Sequence, residues 1–93
     1  MTEADPSERG IDGDQIRVDG VVELRVVARG SRSERKAPFL VAADGRAYPL
    51  FLVGDNPLEQ PTLVGLAGRR IGIAGIWRNG VVRVERGGLD IRG

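Results

Sequence analysis

Arg69 to Arg86 reads R-R-I-G-I-A-G-I-W-R-N-G-V-V-R-V-E-R. Two alternating arms meet at Asn79-Gly80, a dipeptide suited to a type I′ turn because both central residues must take positive φ. A two-residue loop sets the register, so Arg78 faces Val81, Trp77 faces Val82 and Gly75 faces Val84. Alternation then sorts the side chains onto two faces. Ile71, Ile73, Trp77, Val82 and Val84 share one, which is predicted to be core. Arg70, Ile76, Arg78, Val81, Arg83 and Glu85 share the other, which is mixed and more polar. A period of two on both arms makes this a β protein, and the rest of the chain is read around the hairpin.

Immediately upstream, Gly54 to Gly68 (G-D-N-P-L-E-Q-P-T-L-V-G-L-A-G) breaks the β pattern. Asp55 or Asn56 is suited to cap a helix whose first residue is Pro57. Pro61 prevents one continuous helix, and Thr62 is placed to cap a second turn over Leu63 to Ala67. Leu58, Leu63 and Leu66 then face the core, and Gly68 stops the turn. The spacing predicts a short connecting helix.

Three strands are predicted before it. Ile16 to Arg29 alternates Val22, Leu24, Val26 and Ala28 with Glu23, Arg25, Val27 and Arg29, a long half-buried strand. Gly20 inside it suggests a bulge or sharp bend. Ala37 to Ala43 reads as a second strand, with Pro38 at its start. Asp44-Gly45 reads as a two-residue turn, and Arg46 to Val53 as the third strand. Facing pairs would be Ala43 with Arg46, Ala42 with Ala47, Val41 with Tyr48 and Phe39 with Leu50. Pro49 argues for an edge position or a bulge.

The termini differ in character. Residues 1–14 carry Glu3, Asp5, Glu8, Asp12 and Asp14 against Arg9, a net of −4, with one large apolar residue after Met1. They are predicted to be a disordered acidic tail, placed to compete with an anionic ligand for a basic domain. The barrel domain is expected over residues 15–88, and residues 89–93 are expected to fray. Outside the tail stand 13 basic and 8 acidic residues, and of the chain's 14 basic residues 13 are Arg. Arg suits planar recognition of phosphates, carboxylates or bases.

Composition narrows the chemistry. Ninety-three residues make one domain with a modest core. The chain has no Cys and no His, which removes disulfides, thiolates, the commonest metal ligand and the commonest general base. Lys36 is the one Lys, and no Ser has a base at a recognisable spacing. Asp44 is explained by turn chemistry and Asp55 by capping. The chain is therefore expected to be no enzyme and to hold no metal and no cofactor. No apolar run is long enough to span a membrane and no signal-peptide core is visible, so a soluble cytoplasmic protein without membrane partners is expected.

The order β-β-β-α-β-β, the long bent first strand and the L-V-G-L-A-G-R-R-I-G-I-A-G-I-W segment together resemble the OB-fold over about Ile16 to Arg86. The resemblance implies a five-stranded Greek-key barrel. An SH3-like barrel is the alternative; it would normally place only a short 3₁₀ turn at residues 55–68. OB-folds bind oligonucleotides or oligosaccharides on strands two and three, between the loops that join strands one to two and four to five. Here those loops are Gly30–Lys36 and Asn79-Gly80. The resemblance thus implies binding of single-stranded DNA or RNA by Arg29, Arg32, Arg35, Lys36, Arg46, Tyr48, Arg78 and Asn79. Tyr48 is the expected stacking ring, and Trp77 is assigned to the core. The alternative function is a protein-interaction or adaptor subunit, docking through the barrel surface or a strand edge.

Overall fold

The computed structural model describes residues 13–27, 30, 32, 34–57 and 59–92. Five strands and one helical turn follow in order: β1 (Gln15–Val27), β2 (Arg35–Ala42), β3 (Ala47–Leu52), α1 (Pro61–Val64), β4 (Arg70–Arg78) and β5 (Val81–Ile91). The strands close into a barrel in the ring order β1-β2-β3-β5-β4. β3 and β5 run parallel, and the other four ladders are antiparallel. This is the OB-like arrangement expected from the element order.

The Asn79-Gly80 hairpin forms as read. Asn79 has φ 50° and Gly80 φ 80°. Arg78 pairs with Val81, Trp77 with Val82 and Gly75 with Val84. Ile71, Ile73, Trp77, Val82 and Val84 are all buried. Past Gly75 the ladder slips, because Ile73 pairs with Leu89, which sets Glu85, Arg86, Gly87 and Gly88 opposite Ala74 alone. β5 then resumes through Ile91, and the Arg92 N–H donates to the Arg70 carbonyl at 2.8 Å. The expected fraying from residue 89 is therefore corrected: Leu89, Asp90 and Ile91 are ladder partners of β4. A chain closing a ring has a partner strand available there, which composition alone does not reveal.

β1 belongs to two ladders. Gln15 to Val21 pairs with β4, and Gly20 to Val27 with β2. At the changeover, a Cβ on Gly20 would lie 2.3 Å from the Val41 carbonyl oxygen. Only glycine lets the strands approach this closely where one strand coils to serve both. The first ladder also begins earlier than expected. The Gly13 N–H donates to the Trp77 carbonyl (2.8 Å) and the Trp77 N–H to the Asp14 carbonyl (2.9 Å). Gly13 and Asp14 are thus part of the barrel; the rest of the expected tail, residues 1–12, lies outside the described residues.

The β2–β3 turn differs from the sequence reading. The Ala42 carbonyl accepts from Gly45 N–H (2.9 Å), and the Ala42 N–H donates to the Arg46 carbonyl (2.8 Å). Ala43, Asp44 and Gly45 form a three-residue loop with Gly45 at φ 88°, the left-handed geometry such loops require. Val41 therefore faces Ala47, Leu40 faces Tyr48 and Phe39 faces Pro49. The expected pairs were one residue out. A one-residue slip reverses every face of a strand, and the consequence falls on the aromatic residues. Pro49 occupies neither an exposed edge nor the expected bulge; it sits one residue before the parallel β3–β5 ladder begins at Leu50 and Val82.

Between β3 and β4, the helix expected from Pro57 is absent among the described residues, and Leu58 lies outside them. α1 is a single turn. Its N-terminal donor is met by Asp55, whose Oδ2 accepts from Thr62 N–H at 2.9 Å, so Asp55 and not Thr62 provides the cap. That backbone hydrogen bond is the chief reason the Asp55 carboxyl is held below the ordinary carboxylate range. Gln60 precedes the helix at φ 44° and is almost fully buried. Its side-chain Oε1 accepts from Leu52 N–H at 2.5 Å. Its Nε2 donates to the carbonyls of Leu52 (3.3 Å) and Asn56 (3.1 Å). Leu63 and Leu66 are buried as expected, joining Val22, Leu40, Leu50 and Leu52 with the hairpin residues in one core.

Candidate functional site

Alternation along β2 and β3 sends Leu40, Leu50 and Leu52 inward and leaves Phe39 and Phe51 on the outer face, each half-buried. A guanidinium covers each ring. Arg25 of β1 places its Cζ 5.2 Å from the Phe39 centroid. Arg83 of β5 does the same over Phe51, also at 5.2 Å. Both distances lie within cation–π range. The ladders join these residues into one band. Glu23 faces Phe39, Phe39 faces Pro49, and Phe51 faces Arg83. The band therefore crosses four neighbouring strands.

One carboxylate enters it. Arg25 Nε lies 2.7 Å from Glu23 Oε1, with both side chains about half exposed. Exposed pairs of this kind contribute about 0–1 kcal/mol, so Glu23 holds Arg25 only weakly.

The residues predicted from sequence are distributed around this band. Tyr48 is not the exposed ring. It lies opposite Leu40 and packs against the core, because it shares the face of Leu50 and Leu52 on β3. Phe39, expected to share a face with Leu50, takes the outer face instead. Arg32, Arg35 and Lys36 are exposed at the end of the face where Val27 pairs with Arg35; Arg29 lies outside the described residues. Arg78 and Asn79 are exposed at the β4–β5 turn. The ladders put the two basic loops at opposite ends of the β2–β3 face, so they flank it and do not form one cluster. Arg46 is drawn to the Asp44 carboxylate at 3.5 Å, within the turn that also has Asp44 Oδ1 accepting from Arg46 N–H.

The sequence reading missed Arg25, Phe39, Phe51 and Arg83 as a set. The signal was present in A-A-D-G-R, which accommodates a three-residue loop with glycine last as readily as a two-residue Asp-Gly turn. Under that alternative both Phe residues point outward.

Planar cations beside aromatic faces can bind flat or anionic groups. Among the described residues no cluster of three or more Asp and Glu side chains is placed to hold a metal ion. No helix among them is long and apolar enough to cross a membrane. Compared with protein-family models, curated proteins and solved structures, the chain matches none.

Proposed function

We propose that the barrel binds single-stranded nucleic acid across the outer face of β2 and β3. Bases stack on Phe39 and Phe51, and Arg25 and Arg83 turn from the rings to adjacent phosphates. Arg32, Arg35 and Lys36 extend the positive track at one end, and Arg78 with Asn79 at the other. The observation that carries this reading is the pair of half-buried rings on the outer face, each under a guanidinium, in one band of a closed OB-like barrel. Base–aromatic stacking contributes roughly 1–3 kcal/mol per base and tolerates any sequence. Flanking Arg residues add an electrostatic, salt-sensitive component.

The exposed large apolar residues give an adaptor role less support. Val21, Ile76 and Ile91 are each 39–51% exposed, but no two of them are ladder partners. They form no continuous docking stripe.

Fluorescence anisotropy with labelled oligothymidylate and oligouridylate, at low and at physiological salt, tests the proposal. Affinity is expected to fall steeply with salt. Failure to bind either oligonucleotide at low salt refutes it.

A further inference from the structure

The slip between β4 and β5 opens a groove on the other side of Arg83. Its volume is about 690 Å³, and Arg17 of β1, Arg78 of β4 and Arg83 of β5 line it. Its floor includes Gly75, Gly87 and the exposed Ile76. The three Arg residues come from adjacent strands of the ring. Arg17 faces Ala74, Arg78 faces Val81, and Ile76 lies between Gln15 and Arg83. Glu85 is, among the described residues, the single carboxylate lining the groove. Among the described residues, none of these three guanidinium groups is engaged in an ion pair. Arg83 belongs to both regions, since its guanidinium also covers Phe51.

We infer that this groove takes the phosphodiester backbone of a nucleic-acid strand after it leaves the Phe39–Phe51 band. The inference rests on that band being the base platform, and it supplies the path of the chain beyond it. Guanidinium groups match phosphate oxygens in a planar, two-pronged geometry. The groove is open and far larger than one phosphate, so it suits a chain. The absence of a side chain at Gly87, where a Cβ would meet no atom within 4 Å, lets a sugar-phosphate backbone approach the sheet. Arg83 is the hand-over point, with its base-side neighbour Phe51 and its groove-side neighbour Ile76 on the two flanking strands.

Anisotropy with oligothymidylates of about 4 and about 15 nucleotides, spanning the usual site sizes of such barrels, tests the path. Two variants are used with wild type. Arg17→Ala removes a positive group from an exposed position of the groove alone. Gly87→Glu projects a carboxylate into the groove, and a Cβ there meets no atom within 4 Å, so the fold accommodates it. Unchanged thermal melts verify that both variants fold. Each variant is expected to weaken the 15-mer about tenfold, near 1.4 kcal/mol, and to leave the 4-mer unchanged. Arg17→Ala is also expected to reduce the 15-mer salt slope by about 0.7, the value of one phosphate contact on a single strand. If both variants bind the 15-mer with wild-type affinity and slope, the groove inference is overturned while the platform stands. If wild type binds neither oligomer, the platform falls and this inference with it.

Discussion

Gln60 is the polar side chain on which the barrel end depends, and replacing it gives a sharp test. It is 4% exposed, and its amide stands beside Leu52 at the end of β3. The β2–β3 ladder has already ended at Phe39 and Pro49, so the amide occupies the place where a strand would have paired. In Gln60→Met the side-chain length is kept and the amide is lost. Leu52 N–H, on a fully buried residue, then has no acceptor, a defect of about 1–3 kcal/mol. The Leu52 carbonyl keeps a donor in Asp55 N–H, and the Asn56 carbonyl keeps Gln60 N–H. Each of these two loses only a net bond of roughly 0.5–1.5 kcal/mol. The total is about 2–6 kcal/mol, against a whole-domain stability of roughly 5–14 kcal/mol for this length. Urea denaturation followed by Trp77 fluorescence measures it, and the midpoint is expected to fall by roughly 1–3 M. Gln60→Glu adds a pH signature. One carboxylate oxygen still accepts from Leu52 N–H, but the other faces two carbonyls unless it carries a proton. The folded-state pKa of the introduced carboxyl is therefore raised, so its penalty is small below the ordinary Glu range and grows as pH rises towards the folded value. A midpoint shift below about 0.5 M for the Met variant, or a pH-independent loss for the Glu variant, would refute the reasoning.

Phe39→Ala and Phe51→Ala are each expected to weaken oligonucleotide binding roughly 5- to 150-fold, the equivalent of about 1–3 kcal/mol per stacked base, whereas Tyr48→Phe leaves anisotropy titrations unchanged. Gly20→Ala drives a methyl against the Val41 carbonyl oxygen and is expected to cost about 1–3 kcal/mol in urea denaturation. Asp55 has a folded pKa lowered chiefly by the Thr62 N–H, so its contribution is complete above the unfolded value and fades as pH falls through the folded one. Asp55→Asn should accordingly flatten the acid limb of a stability–pH curve and leave the neutral region less affected by pH. Deleting Ala43 leaves Asp44-Gly45 as a two-residue turn with Ala42 still opposite Arg46; the domain is expected to lose no more than about 1 kcal/mol, while a register shift would bury polar groups and unfold it in the same assay.

The parts of the fold legible in the sequence share one property: a short-range signal and a long-range requirement agree. Asn79-Gly80 demands positive φ at two positions, and alternation on both arms then allows one register. Gly20 announces a bend that barrel closure needs. The β2–β3 hairpin lacks that agreement. Asp44-Gly45 satisfies two loop lengths, and A-P-F-L-V-A-A is apolar on both of its faces, so no buried face selects between them. The choice is made by the rest of the barrel, where Leu40, Leu50 and Leu52 must meet Trp77, Val82 and Val84. Gln60 was hidden for a related reason. A polar residue in a loop gives no sign of burial until the strand it completes is in place.

The candidate site inherits this logic. Arg78 and the basic loop at 30–36 were readable because a solvated charge declares itself locally. Arg25 and Arg83 were not, because each is one of 13 Arg residues and acquires meaning only from the ring it covers. Those rings share the outer face only because Ala43 belongs to the turn and not to β2. The placement of one residue that touches nothing in the band thus decides whether Phe39 shares its face with Tyr48 or with Phe51. A loop with no ligand contact sets the recognition surface, through a parity that every strand transmits without loss.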